Sequence, residues 1–234
     1  MDNFDHFIIK GLHGISASSP LLNNFMLFIS DNDFLKGGII VSILWFFWMN
    51  KDKDLDGKRK KVITVIISCL IAIAFGRLLT RVLPFRQRPV LNSVLTFLYP
   101  DPHVADSMDL ASSMPSDHSV MFLALVTGIF LISKRIGLLS FIYVSCFVLL
   151  PRIYLGLHYP TDILAGGIVG ILITLIISNI SITDKISQQI LIFSSKYSGI
   201  FYVLFFWLSF QIGTMFDSSR AIEHYLVTLF FHTS

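Results

Sequence analysis

Charged residues are scarce in this chain, and their scarcity excludes an ordinary water-soluble domain. Only 14% of its 234 residues are Asp, Glu, Lys or Arg, whereas soluble domains average about 25%. Hydrophobic residues make up 54% of the sequence, and the mean hydropathy is +0.72. Most of the surface must therefore face something other than water, which predicts an integral membrane protein.

Cysteine is rare as well. Cys69 and Cys146 each lie within an apolar run, so we interpret both as small core residues and expect neither a disulfide nor a cysteine metal site. The first residues lack a basic segment followed by an apolar stretch, and we expect no cleaved signal peptide. An alternating ten-residue pattern is also missing, so the membrane segments are expected to be helices.

Long apolar runs are abundant, and they set the predicted architecture. They occur at about 33–50, 62–76, 119–133, 137–151, 163–183 and 197–216. Several reach the ~20 residues that a bilayer crossing requires only when their polar ends are included. This is typical of helices that pack against one another around a polar site. We predict an all-α, polytopic membrane bundle of about six spans, folded as a single domain over 1–234 because no repeat or linker interrupts it.

The N-terminal segment has a different pattern. Over 4–30, apolar residues recur at helical spacing but alternate with polar ones, and Ser18-Ser19-Pro20 breaks the middle. This pattern predicts two short helices lying at the membrane surface. A single kinked spanning helix is the alternative.

Basic residues predict the orientation. The segment 51–61 carries six basic and three acidic residues, and the short loops 133–135 and 183–185 also contain lysine or arginine. The positive-inside rule places these three loops in the cytoplasm. The opposite ends of spans two to five then meet at the outer face of the membrane.

One of these outer turns carries three groups suited to phosphate chemistry: Arg152, His158 and Asp162. Pro160 favours the first position of a helix, which puts Asp162 at the third position, where a carboxylate can reach back over the helix start. The carboxylate can then accept a hydrogen bond from one N–H of His158 and leave the other ring nitrogen free to attack. The alternative is an ordinary capped helix start beside a surface histidine.

Arginines cluster at the outer end of the second span, where positive residues are otherwise disfavoured. They are Arg77, Arg81, Arg86 and Arg88. Lysine or arginine side chains that reach lipid headgroups explain one or two such residues but not four. Forked, permanently charged donors are what phosphate or diphosphate binding requires.

The third span begins at Met114-Pro-Ser-Asp-His118. Ser116 is a natural N-cap, and the free N–H groups after it predict an anion site at the helix start. His118 lies in the first turn, where it can protonate a leaving oxygen. Taken alone, the segment is also compatible with a simple helix cap, but the topology places it opposite His158.

Together these residues resemble the three-part signature of the type 2 phosphatidic acid phosphatase (PAP2) superfamily, over about 35–182. The matching segments are Arg81-x6-Arg88-Pro89, Pro115-Ser-Asp-His118 and Arg152-x5-His158-x3-Asp162. The resemblance implies a metal-independent phosphatase without a cofactor that works through a phosphohistidine. On this basis we expect interfacial helices over 1–32, a catalytic core over 33–182, and an additional C-terminal span and tail over 183–234.

The resemblance also implies the role of each residue. His158 is the nucleophile, Asp162 orients it and His118 is the general acid. The phosphate ligands are Arg81, Arg88, Ser116 and Arg152, with Asp117, Arg77 and Arg86 as further candidates. Two positions depart from the family pattern: Arg81 replaces a lysine, and Asp117 replaces the glycine of Pro-Ser-Gly-His.

The Pro-Ser-Asp-His form is similar to bacterial undecaprenyl diphosphate phosphatases of the bacitracin-resistance type. We therefore expect an enzyme of the bacterial cytoplasmic membrane that removes the terminal phosphate of this lipid, with its site facing the periplasm or exterior. Its partner is a lipid phosphate rather than a nucleic acid, and its oligomeric state is left open. Phosphatidylglycerophosphate, phosphatidic acid and a lipid A phosphate are alternative substrates.

Two other classes of function were compared with this one. A membrane anion transporter would carry polar or charged groups along the spans toward the cytoplasm, but here they stop at the outer end. A metal hydrolase would use His118, His158, Asp117 and Asp162 as ligands. The neighbouring arginines disfavour it because they would repel a cation.

Overall fold

The computed structural model describes residues 3–51, 54–92, 112–217, 219 and 225, and its regular elements there are all helical. Nine helices are named here in chain order within these residues: α1 (Asn3–Ser18), α2 (Pro20–Asp31), α3 (Phe34–Met49), α4 (Leu55–Val82), α5 (Asp117–Ile132), α6 (Lys134–Tyr154), α7 (Pro160–Ser178), α8 (Ser181–Lys196) and α9 (Ser198–Gly213). Wider π-helical turns occur in α3 at Phe34–Gly38 and in α6 at Ser145–Leu149. The predicted all-α membrane bundle is confirmed.

Six of these helices correspond to the predicted apolar runs. By length and composition, α4, α6 and α7 can cross a membrane, whereas α3, α5 and α9 are apolar but shorter. Large apolar side chains lie exposed along their outer faces, as expected for contact with lipid. The division of the chain into interfacial, core and C-terminal segments stays a prediction, and most of the predicted tail lies outside the described residues.

The centre of the bundle is α5, which packs between α4 and α7. Small residues allow close approach on both sides. A Cβ atom on Gly170 of α7 would lie 2.2 Å from the carbonyl oxygen of Val120, and one on Gly128 of α5 would lie 2.3 Å from a methyl group of Val65. Such small-residue contacts are typical of membrane helices. They bring the starts of α5 and α7 together at one end of the bundle.

The C-terminal helix α9 packs against α3. A Cβ atom on Gly37 would lie 1.9 Å from the carbonyl oxygen of Gly213, so the two backbones touch there. Trp48 is fully buried and stacks on Phe201. Trp48 therefore faces the neighbouring helix rather than lipid.

Two further sequence interpretations needed correction or addition. Cys69 is buried as expected, but Cys146 is exposed on the outer face of α6 and is not a core residue. The helix α8 was not predicted; it lies against α4 through small polar residues, with Ser187 and Thr64 hydroxyl oxygens 3.2 Å apart. The two N-terminal helices are confirmed, with their break at Ser19, whereas their position at the membrane surface stays a prediction.

Candidate active site

A cavity of about 710 Å³ opens at the end of the bundle where α5 and α7 begin. Its lining includes Arg81, Arg88, Asp117, His118, Arg152 and His158 from the sequence-predicted set. Asp162 and Ser116 are fully buried at the same end and do not line the cavity. Three segments far apart in the chain therefore meet as the sequence pattern predicted.

His158 follows α6 and precedes α7, and only 5% of it is exposed. Its Nδ1 atom lies 2.9 Å from the backbone carbonyl oxygen of Ser113. A carbonyl oxygen only accepts hydrogen bonds, so Nδ1 is the nitrogen that carries the proton. The lone pair of the neutral ring is then on Nε2, which lies 3.4 Å from Nη1 of Arg88 in the cavity wall.

Asp162 lies farther from the imidazole than the sequence pattern suggested. Its Oδ2 atom is 3.8 Å from Nδ1 of His158 and accepts instead from the Ser113 hydroxyl and, at 2.8 Å, from the Tyr159 backbone N–H. The second of these bonds is the predicted reach back over the helix start. Asp162 thus interacts with His158 electrostatically and is linked to it by hydrogen bonds through Ser113. Its role in orienting the imidazole stays a prediction.

The electrostatics favour a neutral His158. Burial lowers the pKa of His158 below the ordinary histidine value, and the charge of Arg88 acts in the same direction. The neighbouring Asp162 opposes this shift without reversing it. Burial also lowers the pKa of Arg88, which Asp117 and Asp162 partly offset.

Two arginines of the cavity are held by backbone carbonyl groups. Nη1 of Arg88 donates to the carbonyl of Leu157 at 3.0 Å, and Nη2 of Arg152 donates to that of Ser30 at 3.1 Å. These bonds fix the direction of each guanidinium without neutralising its charge. Because Ser30 belongs to α2, the second N-terminal helix also forms part of this end of the bundle.

Ser116 is the N-cap residue of α5, as predicted. Its hydroxyl oxygen is buried and makes no hydrogen bond to any residue that the structure describes. Its backbone N–H donates to the carbonyl of Asp162 at 3.2 Å, which ties the starts of α5 and α7 together. His118 follows in the first turn of α5 and faces the cavity.

Arg77 and Arg86 do not line the cavity. Nε of Arg77 lies 3.5 Å from Oδ2 of Asp117. Arg86 donates to Asp162 on one side and, at 2.6 Å, to Asp5 on the other. Arg77 and Arg86 therefore pair with carboxylates of the protein itself, and neither is placed to contact a phosphate in the cavity.

Several residues at this end were not predicted as parts of the site. Ser113 and Asp5 contact Asp162 directly or through Arg86. Lys36 lines the cavity although it is 95% buried, with Nζ 2.8 Å from Asp33 and 3.8 Å from Asp217. A charged residue beside an apolar run often indicates a functional site, so the sequence could have identified Lys36. No local sequence feature indicates that Ser113 belongs to the site.

The metal alternative depends on at least three ligand side chains converging. Among residues 3–51, 54–92 and 112–217, no group of three or more His, Cys, Asp or Glu side chains has that arrangement. The cavity wall instead carries arginines beside the two histidines. A neutral imidazole nitrogen next to cationic donors is suited to attack on an anionic phosphoryl group.

Comparison with known proteins agrees with this geometry. The model of the PAP2 superfamily matches residues 61–185. Undecaprenyl-diphosphatase BcrC of Bacillus subtilis strain 168 is 31% identical over 169 residues, covering 71% of this chain and 78% of that protein. A Bacillus licheniformis protein named bacitracin transport permease protein BcrC is 24% identical over 205 residues, covering 80% and 90%.

Among solved structures, LpxE of Aquifex aeolicus matches with a TM-score of 0.49 and 20% identity, covering 77% of this chain and all of that one. The family match includes the starts of α5 and α7 and both histidines. The chain therefore belongs to the PAP2 superfamily and is a membrane-embedded phosphatase.

Proposed function

We propose that this phosphatase removes the terminal phosphate of undecaprenyl diphosphate at the outer face of the bacterial cytoplasmic membrane, through a phosphohistidine. The observation that carries the proposal is the state of His158: Nδ1 is bound to the Ser113 carbonyl, and Nε2 lies beside Arg88 at the cavity. This arrangement supports a nucleophile at Nε2.

In the first step, the Nε2 lone pair attacks the terminal phosphorus. The bond from phosphorus to the bridging oxygen breaks, and His118 gives its proton to that oxygen, so undecaprenyl phosphate leaves. The imidazole ring gains a positive charge, which the nearby carboxylate of Asp162 stabilises. In the second step, His118 takes a proton from water as the water attacks phosphorus, and inorganic phosphate leaves Nε2.

The charge of the transferred phosphoryl group is balanced by the arginines of the cavity. Arg88 and Arg152 have fixed directions, and Arg81 adds a third positive charge. The first N–H groups of α5, which begins with the cavity-lining Asp117 and His118, add neutral donors, whereas a contact from the buried Ser116 hydroxyl stays a prediction. Donors that are already in place need no reorganisation when charge moves in the transition state.

A lipid diphosphate is the substrate class that the comparisons favour. The relative from Bacillus subtilis is named an undecaprenyl-diphosphatase, and the chain matches 78% of its length. The cavity also has room for two phosphate groups and carries several cationic side chains. Phosphatidylglycerophosphate, phosphatidic acid and lipid A phosphate remain the alternative substrates for the same chemistry.

The outward orientation is supported by the distribution of basic residues. Residues 58–61, 134–135, 185 and 196 supply lysine or arginine at the end of the bundle opposite the cavity. The positive-inside preference puts that end in the cytoplasm. The cavity end then faces the periplasm or the cell exterior.

The test is phosphate release by the purified protein from a panel of lipid phosphates, with and without EDTA. We expect undecaprenyl diphosphate to give the highest kcat/KM and EDTA to have no effect. A higher kcat/KM with another lipid of the panel would identify that lipid as the preferred substrate. Absence of phosphate release from every lipid would contradict the proposal. Detergent solution has no separate compartments, so release there also separates hydrolysis from transport, the activity named for one relative.

A further inference from the structure

An acidic residue of the N-terminal helix is buried beside the catalytic end. Asp5 has no exposed surface, although its neighbours Phe4 and Phe7 on α1 are 50% and 79% exposed. A carboxylate is rarely buried completely unless several donors compensate for the loss of water. The donors come from two segments that are distant in the sequence.

The first donor segment is the start of α7. The backbone N–H of Thr161 donates to Oδ1 of Asp5 at 3.0 Å, and the hydroxyl of Thr161 donates to Oδ2 at 2.7 Å. The N–H groups of a first helical turn have no partner within their own helix. Asp5 therefore caps α7 from another helix, and its charge is favourable at that end of the helix dipole.

The second donor is Arg86, whose guanidinium lies between two buried carboxylates. Nη2 donates to Asp5 at 2.6 Å, whereas Nη1 donates to Asp162 and, at 2.8 Å, to the Thr161 hydroxyl. The guanidinium also covers the ring of Tyr159, with its central carbon 4.1 Å from the ring centroid. Both amino groups of the fork are thus committed to fixed positions.

These contacts continue to the nucleophile. Asp162 accepts from the Ser113 hydroxyl, and the Ser113 carbonyl accepts from Nδ1 of His158. Burial lowers the pKa of Arg86, but Asp162 and Asp5 outweigh burial and leave that pKa above its ordinary value. Arg86 is therefore a permanent positive charge between the two acids.

We propose that Asp5 is a positioning residue of the active site: it holds Arg86 and the start of α7 so that Asp162 keeps its place beside Ser113 and His158. The N-terminal helix then forms part of the catalytic apparatus, in addition to any contact it makes with the membrane. This inference rests on the proposed function of His158 as the nucleophile.

The chemical reason is the balance of charge around Asp162. Without the carboxylate of Asp5, one half of the Arg86 fork and two donors of Thr161 lose their acceptor. Arg86 is then free to turn away from Asp162, which removes a charge-assisted bond from the acid that stabilises the imidazolium. The phosphate-binding arginines Arg88 and Arg152 have separate anchors, so substrate binding is expected to change little.

The test uses the full-length purified protein and steady-state kinetics with undecaprenyl diphosphate. Asp5→Asn keeps the size of the side chain and removes its charge, and we expect kcat to fall by about tenfold or more with KM within about twofold. Lys10→Ala, at an exposed position on the same helix, is the matched control and is expected to keep both constants. A wild-type kcat in Asp5→Asn would overturn the inference.

A double-mutant cycle separates positioning from general destabilisation. If Asp5 acts through Arg86, the Asp5→Asn/Arg86→Met variant should lose no more kcat than Arg86→Met alone. Losses that multiply would contradict the inference. If Asp5→Asn does not yield folded protein, Thr161→Val gives the same test, because it keeps the backbone N–H and removes the hydroxyl shared by Asp5 and Arg86. We expect a fall in kcat without a rise in KM. An unchanged kcat would overturn the inference.

Failure of the inference is distinguishable from failure of the proposed function. A wild-type protein that releases no phosphate from any lipid of the panel would contradict the function itself. An active wild-type protein whose Asp5→Asn and Thr161→Val variants keep the same kcat would contradict only the role of Asp5.

Discussion

The Nδ1 atom of His158 lies 2.9 Å from the carbonyl oxygen of Ser113, whereas the nearest carboxylate oxygen of Asp162 is 3.8 Å away. A backbone carbonyl therefore accepts the hydrogen bond from the proton-bearing nitrogen, and the carboxylate lies slightly farther away, where its negative charge still acts on the ring. Since a point mutation does not remove a carbonyl group, the tautomer of His158 should survive changes at either side chain.

The first prediction compares these two side chains. Asp162→Asn should leave the protein folded but lower kcat more than Ser113→Ala, because only the first change removes the charge that we propose stabilises the imidazolium. For Ser113→Ala, which removes one hydrogen bond to the carboxylate, we expect a loss of about tenfold. Steady-state kinetics of phosphate release measures both.

A matched control for Ser113 is available on α5. Ser119 is also buried, but its hydroxyl donates to the carbonyl of Ile163 rather than to Asp162. Ser119→Ala should therefore keep kcat within about threefold. Equal losses in Ser113→Ala and Ser119→Ala would mean that the hydroxyl of Ser113 has no special relation to the carboxylate.

The second prediction concerns the arginines. Arg88→Lys and Arg152→Lys keep the positive charge but lose the planar fork, so each should lower kcat/KM by about tenfold or more, since a charge-assisted contact is worth ~1.5–3 kcal/mol. Arg77→Lys should keep most activity, because Arg77 pairs with Asp117 and does not line the cavity. Near-wild-type rates in the first two variants would indicate that phosphate binds elsewhere.

The membrane helices could be predicted from the sequence because long apolar runs leave few alternatives to a helix in lipid. The amphipathic helix α8 was not predicted, since it has no long apolar run and buries small polar residues such as Thr183 and Ser187. Its contacts depend on the packing of another helix, which local pattern does not encode.

The site residues divide in the same way. The histidines and arginines of the motifs were predicted because their spacing resembles a known signature, and the structure brings most of them to one cavity. Asp5 is separated from Thr161 by 156 positions, and no local feature links the two residues. Contacts of that kind become visible only when tertiary packing is known.

The third prediction concerns pH. Burial lowers the pKa of His158, and Arg88 contributes in the same direction. The proposed attack requires the neutral ring, so protonation of His158 should cause the acid limb of kcat/KM, and the lowered pKa should move that limb below the ordinary histidine value of about 6.5. In Arg88→Gln, which removes a nearby positive charge, the acid limb of the residual activity should shift to higher pH. A limb that moves down or stays fixed would assign it to another group.

The fourth prediction concerns orientation. In a variant without the two native cysteines, Gln87→Cys, exposed near the cavity end, should react with a membrane-impermeant thiol reagent in intact cells. Asp56→Cys, which is exposed at the start of α4 at the opposite end of the bundle, should react only after the membrane is permeabilised. Ser93, in the same predicted outer loop, lies outside the described residues, so Gln87 is the better position. The reverse labelling pattern would place the active site on the cytoplasmic face.

The last prediction concerns the covalent intermediate. If Nε2 of His158 attacks phosphorus, an acid-labile phosphate should be trapped on wild-type protein that is quenched during turnover with substrate labelled in its terminal phosphate. His158→Ala should neither turn over nor retain label, since the change removes the nitrogen that lies beside Arg88 at the cavity.

His118 gives the control that distinguishes the two steps. His118→Ala removes the proposed acid of the first step and the base of the second, so both formation and hydrolysis of the phosphoenzyme should slow. A substrate with a better leaving group should restore formation but not hydrolysis, and label should then accumulate on the protein. Turnover that persists in His158→Ala, or activity that EDTA abolishes and added zinc or magnesium restores, would exclude the phosphohistidine mechanism and favour a metal hydrolase.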